Sequence, residues 1–158
     1  MPEYDISFAD KLSQVACQVL ADGIEEIEAQ RTVLYLSLLS TEIALKAMLE
    51  KAGKPIAGIR SRSHNIAGLL SDLDHCNVCV EDSHSLSASR IRAIELSYGV
   101  AKITVGAVID VASDHASRYP GEVRYGERLS HYPATTMAQL STSVVLFAKT
   151  YWASLHIR

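Results

Sequence analysis

Residues 31–55 read RTVLYLSLLSTEIALKAMLEKAGKP, and the reading of this stretch decides the fold. Its first half, TVLYLSLLS, is apolar almost all round, which marks a central, buried helix. TVLYLSLL has strand propensity, but it sits inside a longer helical pattern. Glu42 and Lys46 stand four positions apart with the acid N-terminal, the favoured order for a helix ion pair. Gly53 suits the position just past a helix end, and Pro55 marks the exit. The helix is therefore expected from about Arg31 to Lys51.

Helical patterns continue on both sides. Upstream, Phe8, Leu12, Val15, Ala16, Val19, Leu20, Ile24 and Ile27 repeat at three and four residues, an amphipathic helix from Ile6 to about Glu28. Downstream, KPIAGIRSRSHN reads as a loop. Ser63 is then placed to cap a short third helix carrying Ile66, Leu69, Leu70 and Leu73. Asp72 to Ser85 reads as a polar loop, with VCV too short for a strand. A long fourth helix is expected over Leu86–Ala116, with Gly99 and Gly106 inside it at about 1 kcal/mol each relative to Ala. SRYPGEVRYGERLSHYP breaks it, and a final helix spans about Thr135 to Leu155. The expectation is an all-α fold, a five-helix up-and-down bundle forming a single domain over residues 1–158.

Composition agrees with one globular unit: 158 residues, 48% hydrophobic and 21% charged. The net charge of −3 gives no global reason to bind nucleic acid. Charge is unevenly spread, however. The first thirty residues hold seven carboxylates against Lys11, whereas residues 51–64 hold four cations (Lys51, Lys54, Arg60, Arg62) and no acid. No apolar run reaches the roughly 18 residues of a membrane span, and the acidic N-terminus lacks a signal core. Three cysteines, an odd count, fit a reducing cytoplasm.

YLSLLSTEIALKAMLEKAGKP, then SHNIAGLLSDL, then a long helical stretch ending in SRYPG, resembles the HEPN family (higher eukaryotes and prokaryotes nucleotide-binding). The matching residues are Glu42, Leu45 and Lys46, then His64, Asn65, Leu69 and Leu70, then Arg118, Tyr119 and Pro120. Asn65 stands where the family often has Asp. The resemblance implies a helical bundle, usually a homodimer, in prokaryotic defence or toxin–antitoxin systems. Some members pair with a nucleotidyltransferase and others cleave RNA.

Catalytic members carry an Arg and a His with four to six residues between them, and Arg124-YGERLS-His131, with six between, is the matching pair here, with Tyr125 departing from the usual polar residue. In metal-independent RNA cleavage a His would take the 2′-hydroxyl proton and an Arg would hold the phosphate. Arg60, Arg62, His64 and Arg118 are the expected anion or nucleotide patch, if their two loops meet. Solvated loop cations are the structural alternative, with His64 bonding a backbone carbonyl or capping a helix. Glu42 and Lys46 read as an internal ion pair. His75, Cys76, Cys79 and His84 could supply four zinc ligands, but they form one compact loop rather than two distant pairs, so neither metal nor cofactor is expected. The resemblance implies one of two functions: a nucleotide- or RNA-binding module of a prokaryotic defence or toxin–antitoxin system, able to cleave RNA if Arg124 and His131 are its reacting pair, or a non-catalytic dimeric subunit that partners a nucleotidyltransferase or another protein.

Overall fold

The computed structural model describes residues 1–80, 84–111 and 132–157. Helix α1 (Ile6–Asp22) starts at Asp5, whose side chain accepts from the Ser7 amide at 2.8 Å. It stops at Gly23, whose φ of 117° suits glycine and ends the helix short of the expected Glu28. Helix α2 (Ile27–Lys51) begins earlier than expected and ends as expected, with Gly53 in the left-handed region at φ 99°.

Among the described residues, α2 alone has the length and composition of a membrane-crossing helix, contrary to the apolar-run reading. However, 72% of its most apolar stretch is buried inside the protein, as a core helix requires. It packs against α1, against α6 (Ala134–Tyr151) and against α4 (Ile66–Leu73). Leu45, Met48, Leu49, Leu69, Leu70, Met137 and Val144 are buried in one cluster. Small polar residues let the helices close up. Ser40 Oγ donates to the Ala9 carbonyl at 2.7 Å, and the hydroxyls of Ser13 and Ser141 meet at 3.0 Å.

The architecture is mixed rather than all-α, with five strands in two antiparallel sheets among the described residues. The expected 72–85 loop supplies β1 (Cys76–Val80), which pairs with β2 (His84–Ser87) on one side and β5 (Leu155–Ile157) on the other. A short strand suffices here because neighbours on both edges hold it and Cys76 and Val78 alternate into the core. The final helix therefore gives way to a 3₁₀ turn (Trp152–Ser154) and then β5, whose Ile157 amide donates to the Ala52 carbonyl.

The expected long fourth helix is replaced within the described residues by several elements. These are a 3₁₀ turn (Ala88–Ala93), a hairpin of β3 (Glu95–Tyr98) and β4 (Ala101–Thr104), and α5 (Val105–Val111). Gly99 explains the change. At φ 60° it occupies the first of two loop positions between the paired Tyr98 and Ala101, where a tight hairpin turn favours glycine. Thr136 donates to the Ser97 carbonyl and Gln139 accepts from the Ser97 amide, both at 2.8 Å, fastening β3 to α6. Gly106 permits close approach, because a Cβ there would lie 3.0 Å from that of Arg92.

Leu45 is fully buried, so Leu45→Ala should cost about 2–5 kcal/mol in urea unfolding. The Ser37 hydroxyl is buried without a hydrogen-bond partner among the described residues, and Ser37→Ala should raise stability by about 1 kcal/mol in the same assay.

Candidate functional site

The expected cationic loop is structured. Helix α3 (Ile56–Arg60) leads into consecutive turns in which the amides of Arg62, Ser63 and Asn65 donate to the carbonyls of Ile59, Arg60 and Arg62. The cap of α4 is Asn65 rather than Ser63; its Oδ1 accepts from the Gly68 amide at 2.8 Å. Asn and Asp cap helices about equally well. Ser63 instead takes φ 48°, an unusual conformation for a residue with a Cβ, immediately before His64.

Two buried carboxylates organise the charges. Glu42 is 4% exposed and accepts from Lys46 Nζ at 2.7 Å, while its other oxygen lies 3.0 Å from His64 Nδ1. A carboxylate oxygen accepts, so this contact assigns the hydrogen to Nδ1 of the half-exposed ring. The ammonium of Lys46 also lies 5.3 Å from the centre of the Tyr4 ring. Burial, reinforced by Glu3, pushes the Tyr4 hydroxyl up to about 12.

Asp72 is the second centre, 8% exposed. It receives Arg62 through two nitrogens at 2.9 and 2.6 Å and Lys54 at 2.6 Å. Burial raises its carboxyl, but hydrogen bonds from Arg62 and Lys54 outweigh burial and hold it below its ordinary value of 3.8. The same pairing raises Arg62.

Of the expected patch, Arg60 pairs with Glu3, Arg62 pairs with Asp72, and His64 is hydrogen-bonded to Glu42. Arg60 bonds Glu3 through Nε at 2.8 Å and through a second nitrogen, and the bond lowers Glu3. Arg118, Arg124 and His131 lie outside the described residues, as does any meeting of the two loops. Sequence reading missed Asp72, assigning it to a loop. Its signal was position: it stands beside Leu69, Leu70 and Leu73, an acid on a helix that is otherwise apolar there. Glu3 had no such signal, since it reaches Arg60 from a distant part of the chain.

The Cys and His residues do not converge among the described residues, where no group of three potential metal ligands is found. Cys76, the first residue of β1, is buried, its thiol pushed up by burial. Cys79 is exposed and contacts His156 Nδ1 at 3.7 Å. His75 is exposed, and the His84 side chain lies outside the described set.

A second feature is apolar. Ser40 on α2 touches Ala9 on α1, so these residues mark the seam between the two helices. At 100° per residue, Phe8 and Asp10 lie on opposite sides of that seam. Asp10, Gln14 and Cys17 line the groove towards α6. Phe8, Leu12 and Val15 therefore lie on the other side of the seam from that groove, and Val19, next in their row, packs at its inner edge against the cluster of Ala16, Val33, Ala134 and Ala138. Phe8 is 52% and Val15 39% exposed, and Leu12 and Val19 are half-buried. On α2, half-buried Leu39 and Ile43 pack against the main core and Leu36 against the cluster of Ala16, Val33, Ala134 and Ala138.

Comparison with family models, with curated proteins and with solved structures finds no match to this chain.

Lys46→Met should destabilise the protein by about 3 kcal/mol in denaturant unfolding, because it strips a buried carboxylate of its ammonium partner. Asp72 contributes a pH-dependent term. Its folded pKa is lowered, so its stabilisation is complete above the ordinary carboxylate value and is lost as pH falls through the folded one. Urea midpoints for the parent and Asp72→Asn should therefore differ at neutral pH and converge on acidification.

Proposed function

We propose that this chain is a non-catalytic helical subunit that forms a homodimer through the outer face of α1. It would then engage a nucleotidyltransferase or another protein through its remaining surface, as the HEPN resemblance implies. The observation that carries this reading is the stripe Phe8, Leu12, Val15 and Val19. It repeats at four, three and four residues, the spacing of a helix–helix seam, with two large side chains substantially exposed. A two-fold axis would place the stripe against its own copy, the commonest homo-oligomeric arrangement. The three cysteines are all free, in keeping with the cytoplasmic setting in this proposal.

Val15→Asp tests it by sedimentation velocity. The parent should sediment as a dimer and the variant as a monomer with unchanged helical circular dichroism. A monomeric parent at tens of micromolar, or a folded variant that still dimerises, would overturn the proposal.

RNA or nucleotide binding is the second reading, favoured by one observation: Asp72 faces two cations, leaving a surplus positive charge beside the partly exposed Arg62. Affinity for single-stranded RNA should then fall steeply with salt. Cleavage, if Arg124 and His131 form the reacting pair, should disappear in His131→Ala. Cleavage that survives this change would remove His131 from the reaction.

A further inference from the structure

A cavity of about 330 Å³ opens between the first residues of the chain, the end of α2 and the turn before β5. Pro2, Tyr4, Ala47, Glu50, Lys51 and Trp152 line it. Its volume is at the lower end of the range for small-molecule sites. Two aromatic rings and two small apolar side chains form most of the wall, which suits a flat ring.

One wall is held in place. Both oxygens of Glu50 accept backbone amides, from Glu3 at 2.8 and 3.0 Å and from Tyr4 at 2.9 Å. Arg60 grips the Glu3 side chain from the other side. The segment carrying Pro2 and Tyr4 is therefore fastened before any ligand arrives, which reduces the ordering cost of binding.

The two charged lining residues differ in what they have left to give. Glu50 is committed to the segment it anchors. Lys51 is exposed, its ammonium 5.9 Å from the centre of the Trp152 ring, and it makes no ion pair or hydrogen bond among the described residues. Lys46 and Lys54, by contrast, are each spent on a buried carboxylate. The cavity is thus lined by two aromatic rings and by one cation that is held, among the described residues, only by its contact with the Trp152 ring.

We propose that this cavity binds a planar aromatic carboxylate, its ring against Tyr4 and Trp152 and its acid on Lys51. The proposal is independent of the dimer face and of the RNA reading. A cationic ligand would meet Lys51 with like charge and find the Glu50 oxygens already occupied. A neutral ring would gain the aromatic contacts and leave the ammonium unused. The acid therefore supplies selectivity, and the ring supplies the contact area.

The chain has a single tryptophan, so its indole N–H gives one reporter in a ¹H–¹⁵N correlation spectrum. Titration with 2-naphthoate should shift that cross-peak saturably. The neutral analogue 2-naphthalenemethanol, at equal concentration, should bind more weakly. Lys51→Gln should weaken naphthoate binding roughly tenfold, as expected for one lost charge-assisted contact, and leave the neutral analogue unaffected. Lys51 is exposed, so the variant should fold, and an unchanged spectrum away from the cavity verifies this. No saturable shift at millimolar naphthoate overturns the proposal. So does equal binding of the neutral analogue, or naphthoate affinity that Lys51→Gln does not reduce.

Discussion

The structure depends on enclosing α2. A helix apolar on almost every side must be covered, and each neighbouring element covers part of it. Helix α1 closes one side along the Ser40–Ala9 contact, α6 and α4 close others, and β5 reaches its C-terminal end. Polar groups within this enclosure must bring partners with them, since an uncompensated buried charge is far costlier than a buried pair. Glu42 accordingly arrives with Lys46 one turn away and His64 across the α3–α4 connection. The ion pairs around the candidate site are thus a consequence of burying the second half of α2, and they draw the cationic loop inward.

How much of this was legible in sequence follows from the range of the interactions. The course of α2, its end at Gly53 and the Glu42–Lys46 pair were readable because a helix satisfies its backbone locally and repeats its pattern over many residues. The strands were not. CNVCV becomes a strand because β2 and β5 pair with its two edges, and β5 lies at the far end of the chain. Apolar residues between Ile91 and Val108 can be fitted to a helical stripe, yet one glycine with positive φ at position 99 turns part of that stretch into a hairpin. In the site, sequence found Glu42 with Lys46 but not the partners of Arg60 and Arg62, because Glu3 and Asp72 come from segments whose approach only the tertiary fold brings about.

The charge asymmetry takes on a different meaning in three dimensions. The loop over residues 51–64 contains no acid, but its arginines and Lys54 are matched by carboxylates from neighbouring segments. Lys51 is the member of that group left without such a match among the described residues. Apolar surface is uneven too: α1 buries Ala9, Ser13 and Ala16 against its neighbours while leaving Phe8 and Val15 in solvent. The proposed dimer and ligand site rest on these two unmatched features.

The position of β5 also bears on the order of folding. Helices α1 and α2 are adjacent in sequence and form a hairpin of local contacts, whereas β5 pairs with β1 and bonds Ala52 across most of the chain. Closing so long a loop carries its entropic cost before the pairing repays it. The helical hairpin is thus a natural nucleus, and the three-stranded sheet a late event that locks the end of α2. Until that step β1 has an open edge, and the interval before β5 arrives is when the chain is most exposed to pairing with another copy.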